Sequence, residues 1–184
     1  MRSVLRRRRS LVAVLAALAT VVLALPAGAQ TAPAPAGSLP RLNITDNYVT
    51  GISSGGYMAT QLQVAYSSRF RGAGVFSAGP YYCAQGSLTL ALTACTANTA
   101  PTQLPSLIAQ TDRYAAEGKI DPTGNLAAQR TWFFWGTKDQ TVVGSVADDL
   151  AAYYRHYGVP LTYRNTVPAG HAWISQLGPN ACDV

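Results

Sequence analysis

The residues best suited to chemistry lie in Gly51-Ile52-Ser53-Ser54-Gly55-Gly56-Tyr57-Met58, between an extended segment and a helical one. A G-x-S-x-G pattern at a strand-to-helix turn describes a nucleophile elbow, in which a strained backbone exposes the serine hydroxyl. Ser53, not Ser54, is centred between Gly51 and Gly55, where side chains are expected to collide with the turn. The chemistry of such a serine is attack on an ester carbonyl. Gly/Ser clusters are also ordinary turn material, so the assignment needs a base and an acid elsewhere in the chain.

A serine hydroxyl is a poor nucleophile until a histidine takes its proton. Two histidines are present. His156 ends a helical pattern before Gly158, where its charge suits the helix C-terminus. His171 follows the strand-like segment Leu161-Thr162-Tyr163-Arg164-Asn165-Thr166-Val167 and the turn Pro168-Ala169-Gly170, so it is the candidate base. The third member must be a carboxylate that orients the imidazole and stabilises its charged form. Asp139 fits, because it follows Thr131-Trp132-Phe133-Phe134-Trp135-Gly136, a run that reads as a strand buried on both faces. Crevices form at the carboxyl ends of such strands. Asp148 and Asp149 fall inside the next helix, Asp112 inside an earlier one, and Asp121 in a turn before Pro122. The order Ser53, Asp139, His171 is that of α/β-hydrolases and differs from the trypsin-like and subtilisin-like orders. One oxyanion donor is expected from the backbone N–H of Ser54, at a helix start where such donors are unsatisfied.

The elements that position these residues alternate. Strands are expected at about 47–52, 73–78, 131–136 and 161–167, and helices at 56–67, 104–117 and 144–157. In the first helix, Met58, Leu62 and Ala65 have i, i+4, i+7 spacing. The expected class is α/β, a mainly parallel α/β-hydrolase-like sheet with flanking helices and about four strands. The sheet is incomplete, because only 23 residues separate the expected cleavage site from Ser53.

Residues 1–29 read as a secretory signal peptide, with Arg2 and Arg6 to Arg9, an apolar run from Leu11 to Leu25, and Ala27-Gly28-Ala29 before the cut. Arg8-Arg9-Ser10-Leu11 also admits twin-arginine export, although the strongly apolar run favours the general pathway. Residues 30–40 are a flexible Ala/Pro-rich lead-in, and 41–184 the catalytic domain. The chain is expected to be extracellular or periplasmic and free of the membrane once the signal is removed. The signal carries five of the fourteen basic residues and none of the eight acidic ones, so the net charge falls from +6 to +1. That balance gives no nucleic-acid surface. The two histidines and three scattered cysteines show no zinc spacing, and no cofactor is expected. In an exported chain Cys83 and Cys95 could close a small ring, contributing on the order of 3 kcal/mol by chain-entropy arithmetic. Cys182 is then left over, and such a cysteine usually has a mate elsewhere.

In combination, several segments resemble the circularly permuted extracellular poly(3-hydroxybutyrate) depolymerases and their esterase relatives. They are Val49 through Met58, Val64-Ala65-Tyr66-Ser67, Gly74 through Cys83, Trp135 through Val142, and Gly170-His171-Ala172-Trp173. The resemblance implies that Ser53 is the nucleophile, Asp139 the orienting acid and His171 the base, in agreement with the reading from the residues alone. It implies a Cys83–Cys95 disulfide beside the active site, a downstream mate for Cys182, and strands supplied after the histidine. It places Tyr81, Tyr82 and Trp173 near a polyester or small ester substrate. It also implies a histidine-glycine-cysteine segment carrying the second oxyanion donor. No such segment occurs before Val184, so a truncated product or fragment is expected, with its activity open. The rival readings are a prolyl-oligopeptidase-like serine peptidase, which shares the elbow and the triad order, and a catalytically inactive secreted fragment.

Overall fold

A computed structural model describes residues 37, 40–101, 103–175, 177 and 181–182. The signal-peptide reading of 1–29 lies outside these residues. The chain divides into two units, Met1–Leu42 and Asn43–Val184. Only Gly37 and residues 40–42 of the first are described, and the second contains every element below.

Four parallel strands form one sheet in the order β1 (Tyr48–Ile52), β2 (Gly72–Phe76), β3 (Arg130–Phe134) and β4 (Leu161–Arg164). Between them run α1 (Ser54–Ala65), α2 (Leu88–Thr93), α3 (Leu104–Ala116), a 3₁₀ turn (Thr123–Ala128) and α4 (Gly144–His156). Each next strand is laid beside the last in one direction. Because parallel crossovers are right-handed, the connecting helices collect on one face of the sheet. The core lies there, with Val75 and Phe133 of the sheet packed among Ala59, Val64, Ala147, Leu150, Tyr153 and Tyr154 of the helices. No described helix is long and apolar enough to cross a membrane.

Two expectations change. The aromatic run of β3 is not buried on both faces: Thr131, Phe133 and Phe134 are buried, whereas Trp132 is 38% exposed. Trp132 points to the face without a helix, with Thr50, Gly74 and Thr162 in register beside it. It stacks on Phe134 and tilts against Phe76. In α1, Met58 is 56% exposed, and the buried positions are Gly56, Ala59, Thr60, Gln63 and Val64. The helix lies close on the sheet through small residues and one polar anchor. Gln63 donates from Nε2 to Thr131 Oγ1 at 2.8 Å and accepts from the Tyr154 hydroxyl at 2.8 Å, joining α1, β3 and α4. A buried amide bonded at both its oxygen and its nitrogen fixes register at reduced desolvation cost.

Candidate active site

Parallel strands bring their carboxyl ends to one edge, and the residues following β1, β3 and β4 carry Ser53, Asp139 and His171. Ser53 joins β1 to α1 with φ 55° and ψ −125°, a left-handed conformation that costs a serine on the order of 1–3 kcal/mol. Its surroundings hold it there. The Ser53 N–H donates to the Phe76 carbonyl at the end of β2 at 3.1 Å, and the Ser53 carbonyl accepts from the Tyr57 N–H at 2.9 Å. The close approach needs glycine at Gly51, where a Cβ would lie 2.1 Å from the Gly55 carbonyl oxygen. It needs glycine again at Gly56, where a Cβ would meet the Phe76 carbonyl oxygen at 2.6 Å. The expectation for Gly55 is corrected, since a Cβ there meets nothing within 4 Å. Gly55 faces solvent on the outer side of the first helical turn, and the crowding falls one residue later, where α1 passes the end of β2. α1 has no side-chain cap, so the Ser54 N–H, in its first turn, lies outside intrahelical bonding.

Asp139 is 2% exposed. Its Oδ1 accepts from the N–H groups of Thr141 at 2.9 Å and Val142 at 3.0 Å, which fixes the carboxylate plane. His171 Nδ1 lies 2.9 Å from Asp139 Oδ2 and 3.1 Å from Oδ1. The two loops are tied along their backbones: Thr137 N–H donates to the Val167 carbonyl at 2.9 Å, and Lys138 N–H to the Ala169 carbonyl at 3.0 Å. Only glycine fits at Gly136, because a Cβ would lie 2.1 Å from the Ala169 carbonyl oxygen. The rival carboxylates are engaged elsewhere. Asp112 accepts from Tyr157, Asp121 from Ser68 and Asp148 from Tyr163. His156 is exposed in the last turn of α4.

Ser53 opens on a cavity of about 400 Å³ whose far wall is the segment closed by a Cys83–Cys95 disulfide. Tyr82 lines it. Tyr81 is not among the lining residues and packs in the main core. Trp173 is half exposed and lies against Phe76. Cys182 is a free thiol among the described residues, and its carbonyl accepts from the Gly170 N–H at 2.7 Å. Tyr57 and Gln61 are among the cavity residues that were not expected. Tyr57 donates its hydroxyl to the Cys95 carbonyl, and burial, reinforced by the nearby Asp139 carboxylate, pushes that hydroxyl far above its usual range. Gln61 accepts the Tyr82 N–H. The signal for both was their spacing, four and eight residues after Ser53, on one face of the helix.

Over 151 residues, 79% of its length, the chain is 42% identical to a poly(3-hydroxybutyrate) depolymerase of Delftia acidovorans and covers 30% of that protein. Over 157 residues, 80% of its length, it is 33% identical to a polyhydroxybutyrate depolymerase of Talaromyces funiculosus, covering 44% of it. The chain is a homologue of the poly(3-hydroxybutyrate) depolymerases. The solved PHB depolymerase from Penicillium funiculosum superposes with a TM-score of 0.65 at 32% identity, over 74% of this chain and 43% of that one. A PHB depolymerase complexed with an R3HB trimer superposes with a TM-score of 0.69 at 31% identity, over 80% of this chain and 48% of that one. Over the superposed residues this depolymerase homologue therefore shares their fold, four parallel strands with flanking helices. It spans less than half the length of each of these relatives. No protein-family model matches it.

Proposed function

We propose that residues 41–184 form the catalytic domain of a serine esterase that hydrolyses poly(3-hydroxybutyrate)-like polyesters or short acyl esters. Residues 1–29 would direct its secretion and 30–40 serve as a lead-in. The observation that carries the reading is the Asp139–His171 contact at 2.9 Å, on the sheet edge that also presents the positive-φ Ser53. With Nδ1 committed to Asp139, Nε2 of His171 is the atom that takes the serine proton. Ser53 Oγ attacks the ester carbonyl carbon, and the negative oxygen is met by the Ser54 N–H. His171 then returns the proton to the departing alkoxide, leaving an acyl-serine, and water repeats the sequence to free the acid. The complex of a homologous depolymerase with an R3HB trimer supports the polyester class.

The test is hydrolysis of p-nitrophenyl butyrate and of the (R)-3-hydroxybutyrate trimer by the chain from Gln30, alongside Ser53→Ala. Turnover lost in the variant is expected. Turnover equal in both would contradict the proposal.

A further inference from the structure

The cavity beside Ser53 is walled largely by apolar groups, among them Ala91, Leu92, Val142 and the disulfide. Two of its polar groups are committed within the protein. The Tyr57 hydroxyl donates to the Cys95 carbonyl, and Thr96 Oγ1 donates to the Leu92 carbonyl at 2.7 Å. Gln85 is exposed on the disulfide-closed segment, and Ser54 is exposed at the helix start. Gln61 is different. It is half-buried, and its Oε1 accepts the backbone N–H of Tyr82 at 3.4 Å. A backbone N–H can only donate, so this contact decides which end of the amide faces Tyr82. The Nε2 group, with its two hydrogens, is left without an acceptor among the described residues, in a cavity walled largely by apolar groups.

Its distance from the chemistry is set by the helix. Gln61 lies eight residues after Ser53, two turns along the same face, which at the α-helical rise is about 12 Å. An extended 3-hydroxyacyl repeat has four chain atoms and spans roughly 5 Å, given bond lengths of about 1.3–1.5 Å. An ester chain running along α1 from the Ser53 hydroxyl therefore reaches Gln61 after about two repeats.

We propose that Gln61 is a specificity-determining residue: its Nε2 donates to an ester carbonyl about two hydroxyacyl repeats from the bond that Ser53 cleaves. A half-buried donor on the cavity wall, facing an acceptor-rich chain, favours oligoesters over plain acyl esters, since an alkyl chain covering it would leave the donor unpaired. The same side chain pins Tyr82, so recognition and cavity shape are joined at one residue. The inference rests on the esterase reading and adds the oligomeric substrate to it.

Gln61→Glu separates the two roles, because a carboxylate still accepts the Tyr82 N–H but has no hydrogens to donate. The kcat/KM ratio for the (R)-3-hydroxybutyrate tetramer, the shortest oligomer with two ester carbonyls two repeats apart, over p-nitrophenyl butyrate is expected to fall about tenfold, as for the loss of one hydrogen bond. The butyrate ester, too short to reach Gln61, is expected to lose less than the oligomer, so the ratio is the readout. An unchanged ratio overturns the proposal, as does an equal fall on both substrates. Binding of the tetramer to Ser53→Ala, followed by NMR titration, makes the test independent of turnover. Weaker binding in the Ser53→Ala, Gln61→Glu double variant supports the subsite even if the chain hydrolyses neither substrate. Equal binding in the two overturns it.

Discussion

Trp173 lays its indole against the ring of Phe76, with centroids 4.3 Å apart. Phe76 is also the residue whose carbonyl accepts the Ser53 N–H. One residue at the end of β2 thus braces the elbow through its backbone and the histidine loop through its side chain. Trp173→Ala is expected to lower kcat about a hundredfold by loosening His171 two residues away, the scale associated with misplacing a catalytic group by about 1 Å. Steady-state kinetics should show the loss in kcat with KM for p-nitrophenyl butyrate nearly unchanged. A rise confined to KM would mean that the indole contacts substrate instead.

Gly51 and Gly55 should respond in opposite ways. A Cβ at Gly51 would stand 2.1 Å from backbone that cannot yield, whereas one at Gly55 meets open space. Gly51→Ala is expected to cost at least about 3 kcal/mol or to prevent folding, and Gly55→Ala to stay within about 0.5 kcal/mol. Denaturant unfolding of both variants checks this.

The elbow shows what was legible in the sequence and what was not. Its strand, turn and helix follow from β-branched and aromatic residues, two glycines and a helical run, all local signals, and the other strands and long helices fall within a few residues of their expected places. Gly56 was not legible, because its constraint is the Phe76 carbonyl of a different strand. The buried face of α1 was hidden for a similar reason. Gln63 reads as a surface residue until Thr131 and Tyr154 are brought to it. The short helix Leu88–Thr93 buries no residue, so no apolar periodicity marks it. Ser53, Asp139 and His171, far apart in sequence, follow strand ends on one edge because a parallel sheet sends the residue after each strand there.

Asp139→Asn keeps an acceptor for the Thr141 and Val142 N–H groups but presents an amide and no negative charge to His171. Esterase activity is expected to fall about ten-thousandfold, while stability changes by no more than about 1–2 kcal/mol. Kinetics and thermal unfolding measured together separate the two effects. A near-normal rate would pass the orienting role to another carboxylate.

The Cys83–Cys95 bridge closes a ring with a sequence separation of 12 and forms the wall of the serine cavity. Replacing both cysteines by serine is expected to remove on the order of 3 kcal/mol of stability. Urea midpoints of the two proteins, compared under non-reducing conditions, test this. Equal midpoints would show that the ring adds nothing to stability.

An activated Ser53 hydroxyl should react with a fluorophosphonate, and treating the chain from Gln30 with one and mapping the adduct by peptide mass spectrometry reads this without a substrate. A single adduct on Ser53, lost in His171→Ala, is the predicted result. An adduct on Ser54, or none on a chain that circular dichroism shows to be folded, would contradict it.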